Sequence, residues 1–262
     1  MQSLNLQCLP FPTLVLVLSL TSIAHAQDRS DPREAMPERP TVATHAWTVA
    51  PRYVELETGA EWDHNRDASF AMSTPTIVKI GVARRAQLGL QASVNAASGT
   101  SLGIGDAGIV LKYRLADRAP LLGAFAVLPG IKFPSGSGDH GTGTTDASIV
   151  LISSHSLGDV ALDINAGYTR RSGDGTRAPR NATVWTISTG GPIAGLVGFA
   201  AEIFGFPATS GPAGAPGSVA VLGGPTVTLR PWVVIDAGVI IRLRGEQPHA
   251  IYGGLVYNFG KF

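Results

Sequence analysis

The sequence predicts an all-β protein, a transmembrane up-and-down antiparallel β-barrel of about 12 strands. Three observations lead there. First, hydrophobicity recurs every second residue. In the stretch 159–170, Val160, Leu162, Ile164, Ala166 and Tyr168 share one face, and Asp159, Ala161, Asp163, Asn165 and Thr169 share the other. A period of two is that of a β-strand, whose side chains alternate between faces. Second, the chain is 44% hydrophobic but only 15% charged, with 32 glycines, and its apolar residues alternate instead of gathering into core runs. Beyond residue 26 no segment approaches the ~18 uninterrupted apolar residues of a spanning helix. Third, the links between strand-like stretches alternate in length, as the short periplasmic turns and longer outer loops of outer-membrane barrels do.

The elements follow in chain order. Residues 1–26 read as a cleaved signal peptide, with the apolar run 14–20 and an Ala-x-Ala ending at Ala24-His25-Ala26. The single cysteine, Cys8, precedes that run, so the mature chain holds no disulfide and no Cys-based zinc site. Residues 27–46 are rich in proline and charge and lack periodicity, which predicts a flexible periplasmic segment. The barrel is expected over 47–262, with strands near 50–62, 75–83, 86–96, 105–116, 120–133, 145–155, 159–170, 182–191, 195–206, 218–229, 232–244 and 249–259. Tight links at 84–85, 116–119, 156–158, 192–194 and 230–231 alternate with longer ones at 63–74, 97–104, 134–144, 171–181 and 207–217; 245–248 is the short exception. With both termini in the periplasm, this order places the long links outside the cell.

The last strand carries Tyr257 and Phe259 two apart on one face, after the small residue Gly254 and before Phe262. That pattern resembles the terminal signal read by the barrel-assembly machinery. Tyr53, Trp62, Tyr113, Phe133, Tyr168 and Tyr257 fall near strand ends on the face assigned to outer-membrane lipid, where amphipathic rings prefer the interface.

Charge takes the opposite phase. Glu55, Glu57 and Glu61 lie on one face of the first strand, against Val54, Leu56, Ala60 and Trp62 on the other. Lys79, Gln91, Asn95, Asp106, Lys112, Arg114, Lys132, Asp146, Asp163, Glu202, Asp236, Arg242 and Arg244 are the further inward candidates. Both signs occur in similar number, so a network of mutually paired charges and a charge-lined path for a polar solute are both consistent with the pattern. Among these, Lys132 is expected to partner Asp106 and Asp146 toward the outer end. A net charge of +1 indicates no nucleic-acid partner. Enzyme signatures with their required context are absent, and no cofactor or metal ligand set is evident. Ser153 and His155 share the outward face of one strand, the only hint of a membrane-surface lipid hydrolase. Asp139 and His140 lie in a glycine-rich loop and read as solvated.

Three stretches carry a family resemblance: Gly105-Asp106 opening a strand that ends in Lys112-Tyr113-Arg114; Lys132-Phe133-Pro134-Ser135-Gly136; and Gly141-Thr142-Gly143-Thr144-Thr145-Asp146. The chain resembles the outer-membrane family named for the meta-pathway of phenol degradation. The resemblance implies a β-barrel that passes small molecules, aromatic compounds among them. The expectation is therefore a bacterial outer-membrane channel for passive uptake of small organic solutes. The alternatives are a structural or adhesive barrel with a plugged lumen and, third, the lipid hydrolase.

Overall fold

The computed structural model describes residues 31–67 and 69–262, so the leader expected over 1–26 lies outside the described residues. Twelve long strands form the wall: β1 (Tyr53–His64), β2 (Phe70–Ala83), β3 (Ala86–Ala97), β5 (Gly108–Ala119), β6 (Gly123–Lys132), β7 (Asp146–Leu157), β8 (Val160–Arg171), β9 (Asn181–Ala194), β10 (Val197–Phe206), β11 (Ser218–Arg230), β12 (Val233–Arg244) and β13 (His249–Lys261). A two-residue strand, β4 (Gly103–Ile104), adds to the end of β3. Each wall strand pairs antiparallel with its chain neighbours, and β1 pairs with β13 from Tyr53↔Lys261 to His64↔His249. That last pairing closes the sheet, so each of the twelve wall strands is paired on both sides, the condition for placing a sheet in lipid.

Several strand boundaries differ from expectation by about three residues or more, and two of these differences bear on the interior. β2 begins at Phe70, five residues before the predicted 75, because Ala71, Met72 and Ser73 pair with Ala97, Ala96 and Asn95. The link 65–69 is correspondingly short. The strand expected from 105 starts at Gly108, so Asp106 sits in the connection that precedes β5. The weakly patterned stretch around 182–191 forms β9, which is 14 residues long. Links 84–85, 120–122, 158–159, 195–196 and 231–232 lie at one end of the barrel with the start of β1 and the close of β13 (the turn end). The longer links lie at the other (the loop end).

Alternation in β5 shows the physical sorting most clearly. Ile109, Leu111, Tyr113 and Leu115 are 43–49% exposed, while Lys112 is fully buried and Arg114 nearly so. A soluble protein would reverse that arrangement. Here isoleucine and leucine cover the outside, with Trp62, Tyr113, Phe133 and Tyr168 exposed toward its two rims. This is the exterior of a barrel whose solvent is lipid.

The interior is not uniformly polar. Ala124, Ala126 and Ile152 are buried on the inner side of β6 and β7, and Phe204, Leu222, Ile240 and Tyr252 form a second cluster inside β10–β13. In these stretches the strands carry apolar side chains on both faces, a pattern that signals packing inside the barrel instead of a water-filled pore.

Candidate functional site

Residues 31–50 supply the packing partner. Composition suggested a periplasmic tail for 27–46, yet residues 31–46 run through the barrel interior. The segment is anchored at the turn end by a hydrogen bond from the Ala35 N–H to Pro231 O (2.8 Å) and by the Arg33 guanidinium, 4.4 Å from the Trp232 ring. It then crosses the lumen to β10, β8 and β7, and returns to the turn end where the Arg52 N–H donates to Gly81 O. Pro32, Pro37 and Pro40 hold the segment away from helix, leaving its backbone donors free for the wall. Eight of them are taken by six wall side chains at 2.7–3.0 Å: Met36 by Glu55, Glu38 and Arg39 by Glu57, Val42 and Ala43 by Glu202, Thr44 by Asn165, Ala46 by Ser154, and Val49 by Gln87. Asn165 also donates to Thr44 O at 2.9 Å. Ala46 and Trp47 pack on the apolar patch of β6 and β7.

The predicted inward charges separate into three groups by height. At the centre, Lys79 contacts Glu55 (2.6 Å), Glu57 and Met36 O, and Lys112 contacts Glu38, Thr44 Oγ1 (2.7 Å) and His45 O (2.7 Å). The Lys79 and Lys112 side chains are fully buried, so each depends on these partners to offset lost hydration. Burial by itself would raise the Glu38 carboxyl, but Lys112 and Lys79 beside it hold it well below the usual carboxylate range. The segment thus contributes the carboxylate that joins two wall lysines.

At the loop end, Lys132 Nζ lies 2.5 Å from Asp106 and 3.4 Å from Asp146, and Asp146 is also 3.2 Å from Arg171 Nε. Asp106 accepts from the backbone N–H groups of Gly136 (3.0 Å) and Thr142 (2.8 Å), pinning the loop 133–145 over this cluster. Against the pull of burial, Lys132 and those two amides lower the Asp106 carboxyl to about 2. Lys112 and Arg114 share the inward phase of these residues but not their height, because inward residues two apart on a strand differ in height by ~6–7 Å. Arg114 sits at the turn end, 2.8 Å from Asp117 and stacked 4.7 Å from the Trp47 ring.

The remaining candidates are scattered. Asp163 accepts from Ser154 Oγ, and Asp236 pairs with Arg39 at 3.4 Å. Arg242 donates to Gln247 O at the loop end and Asn95 donates to His140 O. Gln91 lines a lumenal cavity of about 300 Å³ with Arg39, Glu57, Ile77, Ser93 and Asp106, whereas Arg244 lines a different cleft at the loop end. Glu61 lies within reach of the Arg39 charge. Of the C-terminal residues, Tyr257 and Phe259 stack edge to face at 4.9 Å on the outside and Phe262 is 66% exposed, while Gly254 faces inward against Arg39. Ser153 and His155 are hydrogen-bonded at 2.9 Å, but the Ser153 hydroxyl donates to Leu122 O at 2.8 Å, so its proton is not directed at the imidazole.

Sequence reasoning missed Glu38, Arg39, Gln87, Ser154 and Asn165 as a set. The usable signal was the apolar inner face of β6, β7 and β10–β12, which requires something packed against it.

No protein-family model matches the chain, and neither does any curated protein. Solved structures do share its fold. The COG4313 outer membrane channel from Pseudomonas putida F1 is 10% identical, with a TM-score of 0.65 over 82% of this chain and 98% of that one. The KdgM porin in complex with disordered oligogalacturonate is 12% identical, with a TM-score of 0.52 over 78% and 99%. The chain has the fold of an outer-membrane β-barrel.

Proposed function

We propose that this chain is a bacterial outer-membrane channel for passive uptake of small organic solutes, with residues 31–50 as a closure that shifts before a solute passes. Aromatic solutes are the subclass implied by the resemblance to the phenol meta-pathway family. The two barrels it resembles in fold are by name a channel and a porin. Export by a leader over 1–26 and insertion by the barrel-assembly machinery reading the C-terminal aromatics belong to the same proposal.

The observation that carries it is how the interior segment is held. Its main chain hydrogen-bonds to wall side chains, and its links to the strands are non-covalent until Tyr53. Such an element can move without breaking the ladder of the barrel, whereas a lumen filled by wall residues alone could not clear. The charge-lined cavity beside it supplies room for a polar or amphipathic solute.

Liposome swelling with graded sugars, amino acids and aromatic acids tests the reading. Wild type should admit small solutes slowly, and Glu202→Ala, which releases Val42 and Ala43, should admit them faster. If both are impermeable while circular dichroism shows intact barrels, the filled lumen favours the second reading, a structural barrel with a plugged lumen.

A further inference from the structure

Arg39 occupies a site whose construction exceeds what a tether needs. Its guanidinium lies between β1 and β13 at Gly59 and Gly254, where a Cβ on either glycine would strike it. The two glycines are paired across the strands, so they leave a flat slot on the inner face of the wall. One side of the slot is the Asp236 carboxylate, with its side chain 1% exposed and Oδ1 3.4 Å from Arg39 Nη2; Gly253 O lies at the same distance. Asp236 Oδ2, the Tyr252 hydroxyl and Arg39 Nε are buried without a hydrogen bond. Tyr252, the inward residue of β13 just before Gly254, lies close enough to feel the charges of both Asp236 and Arg39, and Glu61 of β1 also feels that of Arg39. The site therefore offers more acceptor capacity than Arg39 uses. Arg39 also lines the lumenal cavity of about 300 Å³.

We propose that the slot formed by Gly59, Gly254, Asp236, Gly253 O and Tyr252 is a binding site for the guanidinium group of an organic cation in the lumen, and that Arg39 fills it as a tethered substitute. This rests on the reading that the interior segment withdraws from a solute path. Three features set the chemical class. Facing glycines with no Cβ on either leave a flat space that suits a planar group lying against the wall. Its acceptors, a carboxylate with one free oxygen and a carbonyl, suit a fork of N–H donors and not a single point charge. Burial makes an unpaired Asp236 costly, so when Arg39 leaves, a replacement cation is favoured over an empty slot. The apolar cluster of Phe204, Leu222 and Ile240, to which Tyr252 also belongs, would meet the uncharged part of such a solute.

The probe is methylguanidinium, titrated calorimetrically into detergent-solubilised full-length protein. Arg39→Ala should bind it saturably and about tenfold more tightly than tetramethylammonium, which has the charge without the planar donor fork. Arg39→Ala/Asp236→Asn, which leaves neither charge unpaired, should lose that binding. In wild type, methylguanidinium competes with Arg39 and should accelerate hydrogen exchange at the Arg39 amide several-fold, an arm that needs no variant to fold. Equal affinity for the two cations, equal binding with and without Asp236, or no saturable binding together with unchanged wild-type exchange would overturn the proposal. Conductance recorded in parallel separates the two readings: binding in a barrel that never conducts refutes the channel and leaves the site, while conduction without binding does the reverse.

Discussion

Glu202→Ala isolates the hold of the wall on the interior segment. The carboxylate accepts two backbone N–H bonds, from Val42 and Ala43, each at 2.7 Å. Hydrogen bonds to a charged acceptor contribute about 1.5–3 kcal/mol each, so the pair supplies about 3–6 kcal/mol before any compensation. Water entering the space left by the side chain would rehydrate the two amides and return part of this, leaving a net loss of about 2–4 kcal/mol in docking. At 1.4 kcal/mol per factor of ten, amide exchange at Val42, Ala43 and Thr44 should accelerate about 30- to 700-fold, since these amides open with the segment and not with the sheet. Exchange followed by mass spectrometry in detergent micelles gives the measurement, with the amides of β8 as internal control. Unchanged exchange at 42–44 would show that the segment is held by something other than Glu202. Equal acceleration across β8 would show that the barrel itself was loosened. Glu202→Gln, which keeps one acceptor oxygen, should fall between.

Three further outcomes follow from the geometry. Ile164 is exposed on the outer face near the middle of β8, so Ile164→Arg should cost about 2–4 kcal/mol, against about 0–1 kcal/mol for Leu162→Arg beside the turn, both measured by urea unfolding of liposome-embedded protein; Asn165→Arg on the inner face should instead release Thr44, appearing as faster exchange of the segment with little loss of barrel stability. Lys132→Ala leaves Asp106 without its cation while Asp146 keeps Arg171, so reversal potentials across a salt gradient should shift toward cations; an unchanged potential in a conducting variant would mark Lys132 as packing only. Because the Asp106 carboxyl is lowered from its ordinary 3.8 to about 2, its hold on the loop is complete above the ordinary value and lost as pH falls through about 2, so exchange at Gly136 and Thr142, corrected for intrinsic rate, should be equally protected at pH 7 and pH 5 and lose protection near pH 2.

In β5 the alternation Ile109, Leu111, Tyr113, Leu115 against Lys112 and Arg114 assigns both faces correctly, because side-chain alternation is a local property of extended backbone and partition between lipid and interior follows residue by residue. The pairing of Lys132 with Asp106 and Asp146 was legible for a similar reason: antiparallel neighbours joined by one loop bring residues at the same end together. Height within the lumen was less legible. Lys112 and Lys132 share a phase yet serve different clusters, because charge partners are chosen over a few ångströms and phase records only the face.

The amino-acid sequence by itself determined the wall: twelve strands, which face meets lipid, which end carries the long loops, and that charge points inward. What lies inside was decided only by the tertiary structure. Glu57 and Glu202 bind the same segment from 18 and 160 residues away in the chain, and what they bind is main-chain N–H, which every residue but proline carries. A ligand made of backbone leaves no residue signature. The apolar inner stretches of β6, β7 and β10–β12 say that something must pack there, but what packs there shows only when the closed sheet brings Glu55, Glu57, Gln87, Ser154, Asn165 and Glu202 around one space and residues 31–50 fill it.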